Sequence, residues 1–219
     1  MHLHKAVEEK ILLETIQQNF LGKIMQMPPL KSSVKRQLRP RTIYYFDILE
    51  IEDNDVLFKV GCEAGTYIRK LCHDLGLKLK VGAHMAELRR TKAGPFDEST
   101  LFPLHELTDA YHFWMEEKNE KFLRKAIQPV ENGVKHLPKV WVFDSTVESL
   151  CHGADLKVPG ISKLNDKINK NETVAIMTLK DELVAMGTSQ MSSDEMMGEK
   201  GLAVKTEKVF MVPGSYKMN

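Results

Sequence analysis

The sequence predicts an α+β protein in two parts: a mixed helix-and-strand first part, and a second part built as a small β-barrel or sandwich. Three observations carry this. Ile68, Leu71, Cys72, Leu75 and Leu79 fall on one stripe of a 3.6-residue period. Two β-rich runs, Thr42–Ile51 and Val56–Cys62, flank a polar turn. From about Leu137 onward, short apolar runs alternate with turns.

Taken in order, Val7 to Phe20 has near-helical apolar spacing, with Glu8 and Glu9 early in it, so an amphipathic helix ending at Gly22 is expected. After Met27-Pro28-Pro29 comes an irregular stretch in which Lys31, Lys35, Arg36, Arg39 and Arg41 occur with no acid among them. Thr42–Ile51 and Val56–Cys62 then form a hairpin about Glu52-Asp53-Asn54-Asp55, residues that bond their own backbone and tolerate left-handed geometry. Thr66 can cap the next helix, placing Tyr67 and Arg69 in its first turn. Gly94-Pro95 breaks the chain, and a helix follows over Leu104–Glu117 with Leu107, Ala110, Tyr111 and Trp114 on one side. Strands are expected at Val140–Val142, Thr173–Thr178, Leu183–Met186 and Leu202–Phe210. The boundary falls near Gln128–Pro138, dividing the chain into residues 1–130 and 137–219.

The composition is that of a protein with a real core: 219 residues, 42% hydrophobic and 28% charged. No apolar run approaches the roughly 18 residues of a membrane span, and Met1-His2-Leu3-His4-Lys5 lacks the apolar stretch of a signal peptide, so a cytoplasmic location is expected. Cys62, Cys72 and Cys151 are odd in number and form no Cys-x-x-Cys pair, which argues against a disulfide framework or a zinc site. Net charge of +1 leaves a polyanionic partner open, since binding depends on where charge sits.

Arg69 is the most informative polar residue. A guanidinium suits two parallel hydrogen bonds to a carboxylate or phosphate, although a surface acid would satisfy it equally. Tyr67 is either a rim aromatic or a platform on which a base stacks. The basic run from Lys31 to Arg41 is either a solvated loop or an RNA backbone contact. His2 and His4 would share one side of a strand, but no third metal ligand follows at suitable spacing, and His84 and His152 read as structural or RNA-contacting. No metal and no cofactor are expected.

Several segments in order resemble the TruB/dyskerin family of RNA pseudouridine synthases, in the branch that supplies the catalytic subunit of box H/ACA ribonucleoproteins. They are Met1-His2-Leu3-His4, Pro28-Pro29-Leu30-Lys31-Ser32, Gly65-Thr66-Tyr67-Ile68-Arg69, Gly82 to Arg90 and Asp109 to Trp114. His152-Gly153-Ala154-Asp155-Leu156 and Ala175 to Lys180 resemble the PUA domain, a compact RNA-binding barrel.

The resemblance implies isomerisation of uridine to pseudouridine in rRNA or tRNA. Tyr67 resembles the tyrosine beside the flipped uridine, Arg69 the arginine paired with the nucleophile, and Leu88 an apolar residue packed on the target base. An adjacent arginine would keep a carboxylate nucleophile charged. RNA contacts are assigned to Lys31, Lys35, Arg36, Arg39, Arg41, Arg89 and Arg90, and in the PUA part to His152, Gly153, Ala154 and Asp155. The implied partners are a guide RNA, rRNA or tRNA and the small H/ACA ribonucleoprotein subunits. The family's aspartate lies in a Gly-x-Leu-Asp-Pro type motif, which does not occur here, and Asp47, Asp74 and Asp97 match no family nucleophile. The sequence therefore reads as the C-terminal portion of a family member, expected not to turn over by itself, with the N-terminal half as a possible partner. An open strand edge and uncovered apolar surface are expected beside Thr42–Cys62. The alternative is a noncatalytic RNA-binding or scaffold protein that uses the basic run and the PUA part.

Overall fold

Two units are seen in the computed structural model, Met1–Arg89 and Arg90–Asn219, and residues 1–29 and 34–216 are described. The first unit contains β1 (His2–Leu3), α1 (Glu9–Asn19), β2 (Gly22–Gln26), β3 (Arg39–Glu52), β4 (Asp55–Cys62), α2 (Ile68–Lys78) and β5 (Ala83–His84). They form a five-stranded sheet of order β2-β3-β4-β1-β5. The hairpin closes as its residues dictate: Glu52 pairs with Asp55, and Asp53 takes a left-handed φ of 49°.

The helical stripe supplies the core. Leu71, Cys72 and Leu75 of α2 are buried with Leu12 and Ile16 of α1, and they cluster with Leu3, Ile43, Phe46 and Val56 of the sheet. The edge expected beside the hairpin is filled only in part: β2 pairs with β3 along Arg39–Ile43 and β1 meets β4 at His2 and Asp55, while no other described strand pairs with the outer side of Tyr44–Glu52 or of Leu57–Cys62. Exposed apolar side chains do occur on these strands, at Met25, Tyr44, Tyr45, Leu49 and Leu57.

In the second unit, β6 (Lys92–Ala93) and β7 (Phe96–Asp97) pair about Gly94-Pro95, which turns the chain where a simple break was expected. Then come α3 (Leu104–Glu117), over the residues foreseen, and α4 (Leu123–Ala126). Of the side predicted to be apolar on α3, Ala110 is buried, while Tyr111 is exposed. The remaining elements are β8 (Lys139–Val142), α5 (Asp144–Cys151), β9 (Leu156–Lys157), β10 (Ile161–Leu164), β11 (Thr173–Met177), β12 (Leu183–Ser189), α6 (Ser193–Met196) and β13 (Leu202–Val209). Their six-stranded sheet has the order β10-β8-β11-β12-β13-β9, with β8 and β11 parallel. Val140, Val142, Val174, Ile176, Val184 and Val204 bury their side chains against Val147 and Leu150 of α5.

Candidate functional site

The site begins where β4 ends. Glu63 to Thr66 make a tight turn in which the Thr66 N–H and hydroxyl both donate to the Glu63 carbonyl, at 3.2 and 2.7 Å. Gly65 sits at φ 81°, a conformation that favours glycine, and a side chain there would press on the guanidinium of Arg41. The Thr66 hydroxyl is thus committed to the turn, which corrects its expected role as helix cap. Helix α2 starts at Ile68, and Tyr67 holds the N-cap position with no side-chain capping bond.

Tyr67 is anchored from elsewhere. Its N–H donates to Oε1 of Gln26 at 3.0 Å, and Nε2 of Gln26 donates to its carbonyl at 3.3 Å. Arg69, two residues later in the first turn, is exposed, and its guanidinium makes no ion pair or hydrogen bond with any described residue. Arg41 lies against this same turn. Its Nη1 is 3.7 Å from Oε1 of Glu63, whose Oε2 accepts the Thr42 N–H at 3.0 Å. The fold therefore groups Arg41, Tyr67 and Arg69 around one helix mouth, a setting suited to an anion. Leu88, 54% exposed, and the exposed Arg89 and Arg90 follow β5 in a segment without regular secondary structure.

Along the basic run, Lys35 and Arg36 are exposed, and Arg39 is half-buried with its Nε shielded and without a hydrogen-bond partner among the described residues. Lys31 lies outside the described residues. In the second unit, His152, Gly153, Ala154 and Asp155 form an exposed loop after α5, with Gly153 at φ 85°. Part of this loop is held internally. Nε2 of His152 is 3.1 Å from Oε1 of Glu148, Oδ1 of Asp155 accepts the Thr206 N–H at 2.9 Å, and the Ala154 carbonyl accepts the Thr206 hydroxyl at 2.9 Å.

Spacing along the sequence does not reveal His84 as a neighbour of His2 and His4, because strand pairing brings it there across 80 residues. His4 Nε2 is 3.0 Å from His84 Nδ1, and His2 Nδ1 is 2.9 Å from Asp55 Oδ1. Even so, no group of three His, Cys, Asp or Glu among the described residues is arranged to hold a metal. Two of the acids are occupied: Asp74 bonds Lys70, and Asp97 accepts the Ser99 N–H at 2.9 Å. Hydrogen bonds from Ser99 hold the Asp97 carboxyl below its ordinary range. Burial pushes the Cys72 thiol up to about 11, so it is no nucleophile at neutral pH.

Three family models cover nearly the whole chain in order. Residues 3–68 match the TruB family pseudouridylate synthase N-terminal domain, 69–135 the tRNA pseudouridylate synthase B C-terminal domain, and 138–210 the PUA domain. A probable tRNA pseudouridine synthase B of Methanothermobacter thermautotrophicus is 55% identical over 217 residues, covering 99% of this chain and 67% of the relative. The chain belongs to the TruB family of pseudouridine synthases. The corresponding protein of Pyrococcus horikoshii is 60% identical over 213 residues, 96% of this chain, and the chain spans 64% of that relative's length.

Among solved structures, a Cbf5–Nop10–Gar1 complex is matched with a TM-score of 0.91 at 56% identity, over 100% of this chain and 67% of that one. An H/ACA ribonucleoprotein bound to a substrate RNA containing 2′-deoxyuridine is matched with a TM-score of 0.86 at 54% identity, over 99% and 65%. The second unit thus carries a PUA domain. Among the described residues, no helix is long and apolar enough to cross a membrane.

Proposed function

We propose that this TruB-family chain serves an H/ACA-type RNA pseudouridine synthase, acting on uridine in guide-selected rRNA or in tRNA. In this reading Tyr67 lies beside the flipped base, Arg69 pairs with the attacking carboxylate, and Leu88 packs on the target base. Residues 1–130 form the synthase part and 137–219 the PUA part that holds RNA through His152 to Asp155. Small proteins of the Nop10 and Gar1 kind are the partners, by likeness to the complexes matched. Cys62, Cys72 and Cys151 are free thiols, the state kept in a reducing compartment such as the cytoplasm.

The observation that carries the reading is Arg69 itself. It is an exposed guanidinium in the first turn of α2, without an ionic partner among the described residues. Such a group is ready to fix a carboxylate in its charged form. No residue of the sequence is assigned as nucleophile, because no Gly-x-Leu-Asp-Pro type segment occurs in it. The same observation favours a second reading, in which the chain only holds RNA.

Tritium release from RNA carrying 5-tritiated uridine separates them. The purified chain is assayed alone and with a TruB-family segment bearing the aspartate motif added in trans. The first reading expects release in the mixture, and a loss of about 100-fold on Arg69→Ala. RNA binding without release in any mixture establishes the second. Release that is indifferent to Arg69→Ala overturns the role given to Arg69.

A further inference from the structure

We infer that Gln26 is the positioning residue for Tyr67: its side-chain amide holds the Tyr67 backbone, and through it the direction of the phenol at the helix mouth. Gln26 ends β2 and is 2% exposed, one of few buried polar residues among those described. Both ends of its amide are used on one residue, accepting from the Tyr67 N–H at 3.0 Å and donating to the Tyr67 carbonyl at 3.3 Å. A second strand would pair with a residue in the same reciprocal way. The Tyr67 carbonyl also accepts the Leu71 N–H at 2.9 Å, an early bond of α2. One side chain therefore ties the end of the sheet to the start of the helix.

The need for such an anchor follows from the local chemistry. Tyr67 sits at the N-cap with an extended φ of −95° and ψ of 102°, and its own side chain makes no capping bond. Thr66, the nearest residue able to do so, is spent on Glu63. Without Gln26, the bond from the Tyr67 N–H at the head of α2 would be lost, and Tyr67, which follows the turn held by Glu63 and Thr66, would lose its tie to β2. An amide cannot ionise, so Gln26 moves no proton; it acts only through Tyr67. The functional weight of this inference rests on the reading that Tyr67 faces the target uridine.

Two variants test it. Gln26→Met keeps the length of the side chain and removes both hydrogen bonds, whereas Gln26→Glu keeps the acceptor and loses the donor. The chain is labelled with 3-fluorotyrosine, and the Tyr67 fluorine line is assigned by Tyr67→Phe. A single narrow Tyr67 line is expected in the parent, a broadened or doubled one in Gln26→Met, and an intermediate one in Gln26→Glu, with the other tyrosine lines unmoved. An unchanged Tyr67 line in Gln26→Met overturns the inference; if that variant unfolds, Gln26→Glu decides.

The second readout is photo-cross-linking of Tyr67 to 5-iodouridine placed at the target position of a hairpin RNA. Gln26→Met should lower it about tenfold, as loss of two hydrogen bonds implies, with total RNA retention unchanged. Equal cross-linking in parent and variant overturns the inference. A parent that retains RNA without cross-linking at Tyr67 overturns the proposed function instead, and the fluorine spectra still decide the role of Gln26.

Discussion

At the residue scale, the chemistry is set by which polar groups are already spent. Arg69 has no described side-chain partner, whereas Glu182 is engaged through one oxygen: its Oε2 accepts from the hydroxyls of Tyr216 and Thr178, the latter at 3.0 Å. Those bonds, Tyr216 first, hold the Glu182 carboxyl below its ordinary value of 4.5. A depressed carboxyl contributes stability that is complete above the unfolded-state value and is lost as pH falls through the folded one. Tyr216→Phe should therefore destabilise the protein by about 1 kcal/mol near neutral pH, a figure reduced for solvent screening. The difference should shrink to nothing below the carboxylate range. Denaturant melts of parent and variant at neutral and acid pH check this; a gap that persists unchanged in acid would assign it to lost packing instead.

At the scale of elements, periodicity was legible and anchoring was not. The stripe of α2 reads directly from the sequence because Leu71, Cys72 and Leu75 recur on one face, and each is buried. The start of that helix does not, because Tyr67 is held by Gln26 from 41 residues away, and a side-chain bond of that span leaves no local pattern. The meeting of His84 with His4 was hidden for the same reason. Gly76 is a third case. As a glycine inside α2 it looks like a site where alanine would stabilise by about 1 kcal/mol. In the fold, however, its carbonyl accepts the N–H groups of Val81 and Gly82 at 3.2 and 2.9 Å, and a Cβ would run into the backbone of Gly82 and Ala83. Backbone cannot swing aside as a flexible side chain can. Gly76→Ala should thus destabilise by roughly 1–3 kcal/mol, while Gly133→Ala, with nothing within 4 Å, should be near neutral. Thermal melts of the two variants distinguish a steric origin from helix propensity.

Over the whole molecule, 31 basic residues against 30 acidic ones give no general pull on RNA, so any affinity must come from local clusters. The structure separates the members of the basic run that sequence alone treats alike. Lys35 and Arg36 are exposed, whereas Arg41 is committed to Glu63 and to the turn at Gly65. A cation that meets phosphate releases counterions and steepens the dependence of binding on salt by about one unit of log–log slope per contact. Lys35→Ala and Arg36→Ala should each lower that slope by about 1 while leaving the melting temperature unchanged. Arg41→Ala should act the other way, lowering the melting temperature because it removes an ion pair and the packing behind the helix mouth. Binding isotherms on a guide-RNA hairpin at several salt concentrations, set beside melts of the same variants, decide the matter. A slope unmoved by Lys35→Ala and Arg36→Ala would place the RNA contact elsewhere and leave these side chains as a solvated face.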